Sequence, residues 1–382
     1  MRARDGAEEH RAATPLELLF DLCFVVAVAL AADDLHHALS EGHPEYGKYL
    51  MVFFAIWWAW MNVTWFASAY DTDDVPYRLA TFTQIAGALT LAAGVPRAFE
   101  HDDYAVVTLG YVIMRTALAA QWLRAARGHG PGRRTAYRFV IGVTACMVGW
   151  GLLLLVPAGS RLPYFLLLVL AELAVPLWAE SAGRTPWHPG HIAERYGLFT
   201  LIVLGESVLA ATLAVQVALD AGLATAELIV AAGCGLVVVF GMWWVYFAQP
   251  AERILVSNRI SFLWGYGHYW IFSSAAAVGA GLLVTVDHVT GVAHVTGTGA
   301  GYTVAMPLAV FLLAVWLLHV RPQHRGTVQA AAFLGAAALV LLAPLTGVAL
   351  PAIAAVLAGL VAVCVATTGG ADGSRPVTEP EV

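Results

Sequence analysis

Apolar runs of about twenty residues recur along the whole of this 382-residue chain, broken only by short stretches of charge, Pro or Gly. That pattern leaves few folds open. A helix needs ~20 apolar residues to cross a bilayer core, and lipid offers a backbone N–H or C=O no partner outside its own helix or a closed barrel. The runs are too long for barrel strands, so the sequence predicts an all-α, polytopic transmembrane helical bundle. Twelve spans (ten at the least) fall at 15–39, 46–70, 76–95, 103–126, 135–156, 162–181, 189–215, 223–248, 258–286, 302–320, 327–345 and 347–368. Composition agrees: 60% of residues are hydrophobic, 12% are charged and the mean hydropathy is +0.73, against roughly 25% charged residues in a soluble domain.

The arginines give an independent test of this count. With the N-terminus in the cytoplasm, sixteen of the twenty basic residues collect on the inside, Lys48, Arg97 and Arg161 fall outside, and Arg115 stands alone in mid-span. Such an asymmetry is what the positive-inside rule expects. It predicts a cytoplasmic (inner) membrane protein with both termini inside, a cytoplasmic segment 1–13, a helical domain 14–368 and a disordered cytoplasmic tail 369–382. "IWWAWMNVTWF" in the second span and "MWWVYFAQP" in the eighth echo one another six spans apart. They suggest two parallel six-helix repeats, 14–181 and 189–368, although tryptophan pairs are also common at membrane interfaces.

Ionisable groups within such spans are costly, roughly 2.5–3.5 kcal/mol each on the lenient scale, and usually face protein or a water-filled cavity. They are therefore the informative positions. Thr14 and Glu17 form a T-x-x-E capping box that starts the first span, which leaves Asp21, one turn further on, without a capping role. In "HIAERYGLFTLIVLGESVLAA", His191, Arg195 and Glu206 share one face, Arg195 and Glu206 about 16 Å apart by helix rise. Glu194 reads as structural. Arg115 requires an acid from the first, sixth or seventh span, with Glu206 one candidate. Glu172 stands four residues before Pro176, whose ring cannot donate to the carbonyl of residue 172; the freed carbonyl and the carboxylate together make a cation-attracting spot, or the kink is satisfied by a neighbouring group. "DDLHH" places Asp33, His36 and His37 at metal-ligand spacing, a weak candidate because helix ends are commonly polar. His268 suits a proton shuttle or a bond to a backbone carbonyl, and Asn62 and Gln84 suit interhelical hydrogen bonds.

Cys23, Cys146, Cys234 and Cys364 each fall in an apolar run without CxxC spacing, which indicates neither zinc nor a disulfide framework. Glu17 and Asp21 would interrupt a signal-peptide core, so the first span is expected to be retained. No cofactor is called for. No basic cluster invites nucleic acid, and no Walker A loop suggests an ATPase.

The stretches "TPLELLFDLCFVVAV" (14–28) and "HIAERYGLFTLIVLGESVLA" (191–210) resemble the bacterial low-temperature-requirement A family of integral membrane proteins, through its P-x-E-L-x-F-D-L-x-F-V opening and its H-x-x-E-R…L-G-E-S segment. "WWVYF" at 243–247 is similar too, and the likeness weakens over the last third. Cys23 departs from the pattern, where an apolar residue such as valine is expected. The resemblance implies many spans and a name taken from cold growth. It supplies no reaction, and it points to Glu17, Asp21, His191, Glu194, Arg195 and Glu206.

The first functional reading is a secondary transporter that uses protons or a cation, with Asp21, Glu206, Arg195, His191, Arg115 and Glu172 on the pathway. Its partners are then the bilayer and an undetermined small solute or cation, with spans ten to twelve as scaffold or the face of a homo-oligomer. The alternatives are an intramembrane enzyme acting on a lipid or isoprenoid and a non-transporting accessory protein of the stressed envelope. No D-D-x-x-D, H-E-x-x-H or G-x-S-x-G string supports the enzyme.

Overall fold

The structure, a computed structural model, describes residues 1, 3–5, 8, 11–220, 222, 226–323 and 326–372, the side chains of 210, 214, 217, 218 and 368–372 excepted. All regular structure among these residues is helical, and twelve helices are long and apolar enough to cross a membrane. They are α1 (Pro15–Ser40), α2 (Tyr46–Tyr70), α3 (Val75–His101), α4 (Ala105–Gly128), α5 (Arg133–Leu153), α6 (Arg161–Glu180), α7 (Pro189–Asp220), α8 (Ala226–Phe247), α9 (Asn258–Val289), α10 (Gly297–Val315), α11 (Thr327–Leu342) and α12 (Ala349–Asp372). The twelve expected spans are all present.

Differences lie at the ends. The third span was expected to stop before Pro96, yet α3 runs on to His101, whereas α6 continues through Pro176 as expected. A proline removes one hydrogen bond from a helix, and in a tightly packed bundle that loss bends a helix without ending it. α12 extends to Asp372, and the remainder of the expected tail lies outside the described residues.

The chain forms two compact units. The first holds residues 1–35, 44–203 and 255–265; the second holds 36–43, 204–254 and 266–382. The division falls inside α1, α7 and α9.

In the first unit α3, α4, α5 and α6 pack each on the next in chain order, as short connections require. α3 and α4 approach backbone to backbone: a Cβ on Gly110 would stand 2.3 Å from the Leu91 nitrogen, and one on Gly94 2.6 Å from that of Val107. Small residues allow helices in lipid to come this close, where packing rather than hydrophobicity holds them together. Asp74 caps α3 by accepting from the Tyr77 amide at 2.8 Å, and it takes a fork from Arg124 of α4 at 2.7 and 3.0 Å. Burial pushes this carboxyl up, but the amide and the guanidinium outweigh that and hold it below the usual carboxylate range. α2 is the most enclosed helix of this unit, with Trp57, Trp58 and Trp60 all buried.

Of the helices in the second unit α9 is the most enclosed. Gly281 lets it approach the backbone of α10 at Thr303, and Gly279 lies against Ser207 of α7. α8 packs on α12 with Gly241 against Leu357, and α10 packs on α11. All four cysteines are free, Cys146 and Cys364 buried in the core, Cys23 and Cys234 half-buried.

Candidate functional site: two buried charge clusters

Both clusters lie in the first unit. The lower cluster joins the starts of α1 and α7, stretches 174 residues apart in the chain. At the head of α1 the capping box closes in both directions: the Thr14 amide donates to Glu17 Oε2 at 2.8 Å and the Glu17 amide to Thr14 Oγ1 at 3.3 Å. One turn on, Asp21 receives Arg195 as a fork, Nε to Oδ2 at 3.0 Å and Nη2 to Oδ1 at 2.5 Å. The third guanidinium nitrogen, Nη1, lies 2.9 Å from Glu17 Oε1. Trp60 of α2 donates its indole N–H to Asp21 Oδ1 at 2.7 Å, and His191 Nε2 stands 3.2 Å from Glu17 Oε1. Asp21 and His191 are wholly inaccessible, Arg195 is 1% exposed and Glu17 is 3% exposed.

One expectation changes here: Glu17 is more than a cap, because it shares Arg195 with Asp21. Arg195 and Trp60 enclose Asp21. The segment ahead of α1 is seated beside this cluster. Arg11 donates to the carbonyls of Ala67 and Ser68 at the end of α2, where the helix dipole favours a cation. Glu194 accepts from the Ala13 amide at 3.2 Å, a structural contact. His188 Nδ1 accepts from the His191 amide at 3.1 Å and so caps α7, which begins at Pro189 between the two histidines.

The upper cluster centres on Glu172 of α6, itself fully buried. Arg115 of α4 donates to Oε2, as does the Trp58 indole at 2.8 Å; Tyr111 OH donates to Oε1 at 2.6 Å and the Trp150 indole at 3.1 Å. Four donors therefore fill the carboxylate's acceptor positions. Arg115 also lies over the Tyr111 ring, 5.1 Å from its centroid. The partner of Arg115 is thus Glu172 and not Glu206, and Glu172 forms a neutral ion pair instead of a cation spot made with a freed carbonyl.

Trp58 and Trp60 of "IWWAW" link the clusters, since two residues along a helix turn by about 200° and reach opposite sides of it. These indoles are buried donors, not interfacial anchors. Position was the available signal: they lie mid-span, and a buried indole N–H needs an acceptor. Trp243 and Trp244, the apparent counterparts of Trp57 and Trp58 in α8, are about 44% exposed.

Other candidates lie apart from these clusters. Glu206 belongs to the second unit, is half-buried, and has no hydrogen bond or ion pair to another described residue. Asp33, His36 and His37 lie on adjacent turns of α1 with ligand atoms within 4.8 Å of one another. His36 Nε2 is 2.7 Å from Asp287 Oδ2, which also accepts from Ser40 Oγ at 2.9 Å. His268 Nε2 lies 3.1 Å from Tyr246 OH and 3.4 Å from His319 Nε2. Asn62 donates within its own helix to the Trp58 carbonyl at 2.7 Å, and buried Gln84 finds no partner among the described residues, so neither forms the expected interhelical bond.

Twelve apolar helices around buried, paired charges define a multi-pass integral membrane protein. The sequence model of the bacterial low temperature requirement A protein family matches residues 12–367, and the chain belongs to that family. It is also 26% identical over 289 residues to an uncharacterized protein of Rhizobium meliloti (strain 1021), covering 69% of this chain and 67% of that one. No solved structure matches.

Proposed function

We propose that this protein is a secondary transporter driven by protons, loaded at the Glu17–Asp21–His191–Arg195 cluster. Its charge balance carries the reading. Two carboxylates face one guanidinium in a site closed to water, while Arg11 is occupied by backbone carbonyls. Among the directly paired groups one negative charge is left over, with Arg11 acting on Glu17 only through space, and burying such a charge is expensive. A proton cancels it, and His191 is placed to hold that proton, since its Nε2 faces Glu17 at 3.2 Å. The Arg115–Glu172 pair is neutral by itself and needs no such ion. Glu206, half-buried in the second unit, is a further carboxylate for loading and release.

The direct test is flux in proteoliposomes with a pH-sensitive dye inside, screened against a panel of small solutes and cations. A solute gradient that moves protons is the expected result. No proton movement across a broad panel would remove the transport reading and leave the enzymatic and accessory ones.

The orientation proposed with it is that of a bacterial inner-membrane protein with both termini cytoplasmic, because the loop with Arg124, Arg127, Arg133 and Arg134 carries the densest positive charge. A cysteine at exposed Gly130 is then expected to resist a membrane-impermeant thiol reagent in intact cells and to react after lysis. Reaction in intact cells would reverse the orientation.

A further inference from the structure

A cavity of about 500 Å³ opens in the first unit, at the end of the helices opposite the 124–134 loop. The start of α2, the start of α4, the end of α5 and the start of α6 surround it. The geometry points to a lipid site that takes one acyl chain of a zwitterionic phospholipid, its phosphate and ammonium groups held at the rim. This goes beyond the transport reading and is independent of it.

The walls decide the tail. Phe54, Val107, Leu153, Leu162 and Phe165 line the shaft, and Tyr111 and Trp150 reach it from the Glu172 cluster. Both of these have their polar hydrogens committed to Glu172 Oε1, at 2.6 and 3.1 Å. They are left to offer ring surface to an occupant rather than donors, so the buried ion pair keeps this part of the shaft apolar. A volume of this size is within the ordinary range of about 300–1,000 Å³ for ligand sites. Leu162, one of these lining residues, is itself 55% exposed, so the apolar wall reaches the outer surface of the helices.

The rim decides the head. Charged lining groups are confined to Glu45, Lys48, Asp102 and Arg161, two acids and two bases. Lys48 Nζ is fixed between the Phe99 carbonyl at 2.9 Å and Asp102 Oδ1 at 3.3 Å; Arg161 donates to the carbonyls of Val156 at 2.9 Å and Asp102 at 3.0 Å. Of the three basic residues that the span count puts at this end, two are here. The starts of α2, α4 and α6 meet at the same mouth, and helix N-termini favour phosphate. Glu45 and Asp102, about half exposed, complement an ammonium group.

The experiment uses the full chain in phosphatidylcholine vesicles containing a trace of lipid with a diazirine in its acyl chain, bearing either a phosphoethanolamine or a phosphoglycerol head. Adducts are mapped after irradiation. The phosphoethanolamine probe is expected to label segments 51–55, 107–111 and 150–165 about tenfold more than lipid-exposed α8, and more than the phosphoglycerol probe does. Gly47→Trp, at a mouth position where an added side chain meets open space, is expected to abolish the excess while leaving folded yield unchanged. Labelling no stronger there than on α8, an equal or greater signal from the phosphoglycerol head, or an excess that survives in folded Gly47→Trp protein would each overturn the assignment.

Discussion

Glu172→Ala is expected to lower the yield of folded protein sharply and to cost about 3–5 kcal/mol of stability, the usual penalty for stranding one member of a buried pair. Arg115, 1% exposed, would remain as an uncompensated cation, and Trp58, Tyr111 and Trp150 would lose their common acceptor. Thermal unfolding in detergent, followed by size-exclusion chromatography, reads the effect. Removing both charges together, as Arg115→Met with Glu172→Leu, is expected to restore much of the loss, because apolar side chains of similar volume avoid the desolvation cost. If Glu172→Ala melts with the wild type, Arg115 must reach water and the pair is not what holds α4 to α6.

Asp21→Asn is expected to behave in the opposite way, keeping the fold and losing function. Glu17 remains at 2.9 Å to neutralise Arg195, and the asparagine oxygen can still accept from Arg195 and Trp60. Stability is expected to change by no more than about 1 kcal/mol, near the worth of an ordinary hydrogen bond. The surplus negative charge, however, is gone, and with it the reason for a proton to bind. Proton flux in the dye assay is expected to fall to background. A folded Asp21→Asn protein that moves protons at the wild-type rate would make this cluster a packing element. Low folded yield would show that Asp21 does structural work comparable to that of Glu172.

The spans were legible because hydropathy is local: whether a stretch of about twenty residues prefers lipid depends on its own side chains, whatever they pack against. The Thr14–Glu17 cap was legible for the same reason, since its partners stand three residues apart. Helix ends were less so. Pro96 carries a local signal to stop, and packing overrides it.

The sequence by itself determined that this chain is a bundle of membrane helices and that Asp21, Arg115, Glu172 and Arg195 need partners inside it, because lipid cannot solvate them. Which partners they take was decided only by the tertiary structure. Arg115 had acids in three spans to choose from, and a pairing across 57 residues of chain depends on which helix faces bring atoms within about 3 Å. The same holds for Trp58 and Trp60, which in the sequence suggested only a repeat, and which the packing of α2 sets each on a different carboxylate. Hydropathy sets the medium in which a charge must find its complement. The distance at which it does so belongs to the packing of whole helices, through small residues such as Gly94 and Gly110 that let backbones meet.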